Sequence, residues 1–378
     1  GDNATVTLVF SEAVASFSSS ADITVNNGTL ATMSSSDNIT WSGTFTPSTN
    51  TDVDNNTLSL ATSYTDTAGN AGPSATTSNY EIETLVPTLS SIVISSAAGI
   101  QNSFLNAGDN VSVTASFSES VIVDNASGTP TLTIVVGSTD MTATYMSGDN
   151  STTLVFKYTI QAGETDSDGI SIGASVLALN SGTVRDAAGN NATLTHNAVS
   201  ANSIYKVDTT APSVNSFTLS DTALKAGDNA TVTLVFSEAI ASFSNSADIT
   251  IANGTLATMT SSDNITWTGT FTPTVNTEDA SNTLSLATSY SDTAGNAGPS
   301  AVTANYEVET LAPTVDTFTL SDTALKAGDN ATVTLVFSEA VASFSSSADV
   351  TVNNGTLATM TSSDNITWSG TFTPSTNT

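Results

Sequence analysis

Apolar and polar residues alternate with a period of two in run after run along this chain. The first run is Ala4-Thr5-Val6-Thr7-Leu8-Val9-Phe10, with Val6, Leu8 and Phe10 on one face and Thr5 and Thr7 on the other. That period marks a half-buried strand. Gly1-Asp2-Asn3 before it is turn chemistry, because glycine tolerates positive φ and Asp and Asn bond their own backbone. Ser11-Glu12 after it ends the strand, since a carboxylate cannot enter a core. The same turn, strand and acidic loop return almost letter for letter at residues 227–240 and 328–341, and more loosely at 108–121. Repetition of this kind marks a chain built of tandem units.

Within the first unit, short strands are expected over 21–25 and 29–33, separated by Asn26-Asn27-Gly28, a hairpin-type turn. Ile39, Trp41 and Phe45 alternate with Thr40, Ser42 and Thr44, so this strand is expected to bury its tryptophan. Trp267 and Trp368 hold equivalent positions. Residues 47–56 read as a polar loop, Leu58, Leu60 and Tyr64 as a strand, 65–70 as a loop and 79–83 as the last strand. In the second unit Val113, Ala115 and Phe117 face inward. Strands over 132–136, 141–145 and 154–160 follow, then an acidic turn over 161–169 and two short strands within 170–179. No stretch shows a sustained helical period. Turn signals every eight to twelve residues predict an all-β sandwich. Val86-Pro87, Ala211-Pro212 and Ala312-Pro313 mark joints, giving units 1–86, 87–211, 212–312 and 313–378. The first unit is expected to lack its opening strand and the last its final strands, as in a window of a longer array.

Composition narrows the function classes. Units of this size fall at the commonest domain length. Cysteine is absent, which excludes disulfides and thiolate metal sites. There are 35 acidic side chains against five basic ones, Lys157, Arg185, Lys206, Lys225 and Lys326, for a net charge of −30. That balance argues against nucleic acid and anionic membrane surfaces as partners, because both need clustered Lys and Arg. It leaves carboxylates free to attract cations. No apolar run is long enough to span a bilayer.

Leu224-Lys225-Ala226-Gly227-Asp228-Asn229, Phe236-Ser237-Glu238-Ala239, Trp267-Thr268-Gly269-Thr270-Phe271 and Asp292-Thr293-Ala294-Gly295-Asn296-Ala297-Gly298 stand in order in the third unit. With their counterparts in the first and fourth units, they resemble bacterial Ig-like repeats of large RTX/biofilm-type cell-surface adhesins. The second unit resembles a sister repeat, through Thr129-Pro130-Thr131-Leu132, residues 163–170, residues 185–190 and Val207-Asp208-Thr209-Thr210-Ala211-Pro212. The resemblance implies Ig-like β-sandwiches arranged as an extended rod, an extender at the bacterial surface or outside the cell, and joints stiffened by Ca²⁺. The first and third units depart from the sister repeat, with Glu83 and Glu309 in Glu-Thr-Leu-Val/Ala-Pro where it has Asp208, so reach and denticity differ.

The candidate chemistry lies in recurring carboxylates. In an Ig-type sandwich the loop after the second strand and the loop before the last strand emerge at the end facing the previous unit. Glu238 is then expected beside Asp292 and Asn296, with Asp208 arriving in the linker. Likewise Glu119, Asp186 and Asn190 meet Glu83, and Glu339 meets Glu309. Oxygen-only ligands on flexible loops suit Ca²⁺. The alternative is that Glu238 caps a strand end in water and Asp292 makes an Asx turn. Glu164, Asp166, Asp168 and Gly169 imitate the start of an EF-hand loop, but Ser175 stands where its bidentate Glu belongs, so a solvated acidic turn is the better reading. Asp52 and Asp54 form a similar weak pair. The single histidine, His196, lies in a strand-like stretch, and no nucleophile elbow accompanies it; enzyme activity is not expected. The partners expected are neighbouring repeats of the same chain and, in an alternative reading, other copies that polymerise into a filament or sheath by strand exchange.

Overall fold

The structure is a computed structural model that describes residues 2–376. Strands account for 47% of it and helices for 3%, so the all-β expectation holds. By contact the chain forms two units. The first is Gly1–Ala211 with the loop Asp292–Asn296, and the second is Pro212–Ser291 with Ala297–Thr378.

The second unit shows the plan of one repeat in full. Strands Val214–Leu219, Ala230–Phe236, Thr266–Pro273 and Gly254–Leu256 form one sheet, in that order. Ala223–Lys225, Tyr306–Glu309 and Glu278–Asn282 form a second sheet, and Ile249–Thr250, Ser285–Leu286 and Ala301–Val302 a third. One core joins them: Phe217, Val232, Leu234, Phe236 and Phe271 from the first sheet meet Leu224, Leu286, Tyr306 and Val308 from the others. The period of two does this work, for Val232, Leu234 and Phe236 are 0% exposed while Thr231 faces solvent. Residues 313–376 repeat the first sheet with Val315–Leu320, Ala331–Phe337, Thr367–Pro374 and Gly355–Leu357, around Val333, Leu335 and Met360.

In the first unit, Ala4–Val9, Thr40–Pro47 and Gly28–Leu30 make the corresponding sheet, with Ala4–Val9 at its edge. The following repeat is larger. Its strand Asn110–Asp124 pairs with Leu89–Ala98 and Ser151–Thr159, and its core runs through Val111, Val113, Ala115, Leu132 and Phe156. The register against Ser151–Thr159 breaks between Ser116 and Val121. Such an irregularity redirects a side chain, and Glu119 stands inside it.

Several sequence expectations change. The acidic turn over 161–169 carries a short strand, Thr165–Asp166, paired with Lys206–Asp208, and within 170–179 one strand forms, Leu177–Ala178, with isolated bridges at Ser171 and Ile172. Residues 47–56 are not all loop, since Asp52–Asn56 is a strand paired with Tyr80–Glu83. Residues 21–25 open in a helical turn, Ser19–Asp22, because the buried Asp22 carboxylate accepts the Ser18 amide at 2.7 Å and the Ser63 hydroxyl at 2.5 Å. The tryptophans sit at the rim of the core, half-buried. Trp267 packs edge-on against Phe243 at 4.9 Å, and its Nε1–H donates to the Asn264 carbonyl at 3.2 Å. Trp368 makes the same bond to the Asn365 carbonyl at 3.2 Å, whereas Trp41 Nε1 is buried with no hydrogen-bond partner; Phe271, Tyr290 and Tyr306 fill the centre of the third repeat.

Candidate cation site

The joint inside the first unit is built from four strand ends and loops. Strand pairing sets Asp52 directly opposite Glu83. Like charges in register repel. Burial pushes the Glu83 carboxyl above its ordinary value, and the charges of Asp52 and Glu119 add to this; an N–H from Leu85, at 2.7 Å, pulls the other way. Burial also raises Glu119, helped by the charges of Asp186 and Asp52. One oxygen of Glu119, Oε1, is buried with no hydrogen-bond partner.

Asp186 is 5% exposed and anchors its loop. Its Oδ1 accepts the Asn190 amide N–H at 2.8 Å, and its Oδ2 accepts Asn190 Nδ2 at 2.8 Å. Gly189, at φ 93°, allows the tight return. Asn190 Nδ2 also donates to the Glu83 carbonyl at 3.2 Å, fastening the loop to the end of the preceding repeat. The structure places Glu83, Glu119, Asp186 and Asn190 at this joint, with Asp52 beside them. The sequence carried one sign of Asp52: Glu278 holds the equivalent place in the third repeat and is also acidic, opposite Glu309.

The same fastening recurs at Asp208. Asn296 Nδ2 donates to the Asp208 carbonyl at 2.9 Å and to Asp292 Oδ2 at 2.9 Å. Asp292 is 1% exposed, and its Oδ1 accepts the Ala294 and Asn296 amides at 2.8 and 2.9 Å. Asn102 and Asn106 hold this loop from the side, donating to the carbonyls of Thr293 and Ala294 at 3.0 and 3.2 Å. Opposite Asp208 stands Thr165, where the first joint has Asp52. In the second unit, Glu238 and Glu339 are half-buried just past Ala230–Phe236 and Ala331–Phe337. Glu309 accepts the Leu311 N–H at 3.0 Å.

The other candidates are structural. Asp166, buried, accepts N–H groups of Gly137 at 2.8 Å and Gly169 at 2.7 Å, and Glu164 accepts the Tyr158 hydroxyl. His196 Nε2 accepts the Val176 N–H at 3.0 Å, leaving Nδ1–H to donate to the Asn197 carbonyl at 2.8 Å. Both ring nitrogens are thus engaged by backbone groups. Among the described residues no helix is long and apolar enough to cross a membrane.

A search of curated proteins returned no match. Among solved structures, the Escherichia coli adhesin FdeC is similar at 12% identity and TM-score 0.29, over 77% of this chain and 88% of that one. A titin tandem is similar at 10% identity and TM-score 0.24, over 72% and 86%. A Bacteroides ovatus glucan-utilisation protein, SGBP-B, is similar at 14% identity and TM-score 0.16, over 86% and 69%. The profile of the bacterial Ig-like domain matches residues 1–82, 208–308 and 309–378. Those three stretches are the ones in which the turn, strand and acidic loop return almost letter for letter, and the chain belongs to the bacterial Ig-like domain family.

Proposed function

We propose that this chain is a non-enzymatic extender of a bacterial cell-surface adhesin, giving reach as a rod outside the cell, with joints stiffened by Ca²⁺ for adhesion or biofilm formation. The observation that carries the reading is the buried, unbonded oxygen of Glu119 among Asp52, Glu83 and Asp186. A buried acceptor without a partner costs about 1–3 kcal/mol, and more when charged. A donor set of oxygens alone, without cysteine, fits a hard divalent cation. Asp52, Glu83, Glu119 and Asp186 would hold it, with Asn190 setting the loop. By repeat equivalence Asp208, Glu238, Asp292 and Asn296 serve the next joint, and Glu309 and Glu339 the one after. A bound cation supplies charge neutralisation; the chain's own groups supply the fastening, through Asn190 to Glu83 and Asn296 to Asp208.

The test is calcium titration of the whole chain, followed by calorimetry and small-angle scattering with calcium and with chelator. A ligand that binds only the ordered joint adds about 2.7 kcal/mol at a hundredfold excess over Kd. Calcium is expected to raise the melting temperature and narrow the range of dimensions. Glu119→Gln with Asp186→Asn is expected to remove one site from the titration. Equal melting temperatures and equal maximum dimensions in calcium and chelator would sink the reading.

A further inference from the structure

The pair Asn-Gly occurs three times in the chain, at residues 27–28, 253–254 and 354–355, each time at the turn into the short strand beside the tryptophan strand. Such a pair is chemically reactive. Glycine has no side chain to shield its backbone nitrogen, so that nitrogen can attack the side-chain carbonyl of the asparagine before it. The third repeat holds the two groups apart. Asn253 sits in the left-handed region, at φ 44°, and its carbonyl accepts the Thr274 N–H at 3.0 Å. Its Nδ2 donates to Asp279 Oδ2 and to Asn282 Oδ1, both at 2.7 Å. Asn282 is buried and is itself fixed by donating to the carbonyls of Asp279 and Tyr306. The Phe271 ring packs against Gly254 so closely that a Cβ there would collide with it. For Cγ of Asn253 to reach the Gly254 nitrogen, the side chain must release both bonds and the turn must shift under the ring. The first repeat has a weaker lock. Asn27, at φ 53°, has the Phe45 ring on Gly28 in the same way. Among the described residues its Nδ2 donates only to Asn56 Oδ1, at 2.8 Å, because Val53 holds the strand position that Asp279 holds in the third repeat.

We propose that Asn27 and Asn253 are sites of spontaneous deamidation that the folded hairpin suppresses and unfolding releases, so that the modification permanently marks a repeat that has been open. In the open chain the Gly254 nitrogen forms a bond to Cγ of Asn253. The Cγ–Nδ2 bond breaks, and Nδ2 leaves as ammonia with the hydrogen of the Gly254 N–H. Water then opens the cyclic imide at either carbonyl, leaving an aspartate or an isoaspartate at position 253. Neither product refits the hairpin. A carboxylate has no hydrogen to donate to Asp279 or Asn282, and its charge faces that of Asp279. The isoaspartate also lengthens the backbone just before Gly254 pairs with Pro273. The strand that these bonds tie down, Glu278–Asn282, is the one loosened.

The experiment is incubation of the whole chain at neutral pH, folded in buffer and unfolded in guanidinium chloride, followed by proteolysis and mass spectrometry of the peptides around Asn27 and Asn253. Both sites are expected to gain the mass of an amide turned acid in denaturant, and to do so at least about tenfold more slowly in buffer, where opening must come first. In buffer Asn27 is expected to react faster than Asn253. Asp279→Val, which copies the first repeat, is expected to bring the rate at Asn253 toward that at Asn27. Asn253→Asp, as a stand-in for the product, is expected to lower hydrogen-exchange protection over Glu278–Asn282, and Asp279→Val in the same chain to restore part of it. Equal rates in buffer and denaturant, no reaction in denaturant, or unchanged protection in Asn253→Asp would each overturn the proposal.

Discussion

A methyl group at Gly254 would sit 2.1 Å from the Phe271 ring, and Gly28 and Gly355 meet Phe45 and Phe372 in the same way. Each follows an asparagine at positive φ, Asn27, Asn253 and Asn354. The Asn-Gly pair is thus read twice, once by the turn and once by an aromatic ring packed onto the glycine. Gly254→Ala should cost about 1–3 kcal/mol, as overpacking does, and urea unfolding of the variant measures it. Trp267→Ala should cost less than Phe271→Ala in the same assay. The indole is half-buried at the rim and should lose about 1–3 kcal/mol, whereas removing the sealed Phe271 ring should cost about 3–5 kcal/mol. Charge at the first joint sets a pH dependence. Glu83 and Glu119 both have raised values in the folded chain, so the folded state holds protons that the unfolded chain has released. Their contribution is most favourable below the ordinary carboxylate value and is lost as pH rises toward the raised one. In chelator, melting temperature should therefore fall over that interval, and Glu119→Gln should flatten the fall. A melting temperature that rises there in chelator, with no change in Glu119→Gln, would contradict the burial of these groups.

Strands with alternating apolar residues were legible in the sequence, and strands made of polar residues were not. Val6, Leu8 and Phe10 announce themselves by period, as do Val113, Ala115 and Phe117. Asp52–Asn56 has one apolar residue, Val53, and no alternation to detect. Asn56 holds that strand instead. It is buried, donates to the carbonyls of Val53 at 2.7 Å and Tyr80 at 3.2 Å, and accepts from Asn27 at 2.8 Å. Asn282 does the same in the third repeat, donating to Asp279 at 2.8 Å and Tyr306 at 3.1 Å. Asn282→Ala strands these groups in a closed interior and should cost about 1–3 kcal/mol. Native-state hydrogen exchange would place the loss: protection should fall at Glu278–Asn282 and Tyr306–Glu309 before the Ala230–Phe236 sheet. The candidate site was legible in the same uneven way. Asp186 and Asn190 stand in a loop motif that repeats, and Glu119 ends an alternating run. Asp52 lay in a stretch with no periodic signal and showed only as one of a weak acidic pair; strand pairing places it opposite Glu83.

At the scale of the molecule the charge of −30 works against compaction, and ordinary salt screens it. Calcium must be separated from that effect. Millimolar calcium adds little ionic strength, so its action at the joints should survive in buffer already holding about 0.15 M salt, where surface repulsion is damped within about 8 Å. Chelator should loosen the joints while each sandwich keeps its own core, since the apolar packing around Leu234 and around Phe156 is made by side chains other than the joint carboxylates. Near-ultraviolet signals from Tyr290 and Tyr306 should therefore stay constant while scattering dimensions change. Coupled loss of both would show that the joints and the cores melt as one.

Ala230–Phe236 and Ala331–Phe337 have the same seven residues, ATVTLVF, and their partners Thr266–Pro273 and Thr367–Pro374 differ at one position. The pairings are also the same, Leu234 opposite Trp267 and Leu335 opposite Trp368. During refolding, each strand can therefore close on the wrong neighbour with no local cost in side-chain fit, and only connection length favours the correct partner. Misassembly between like neighbours is a known failure of repeat chains. A trapped minority that resolves slowly, independent of protein concentration, is the kinetic consequence of two strands that cannot be told apart.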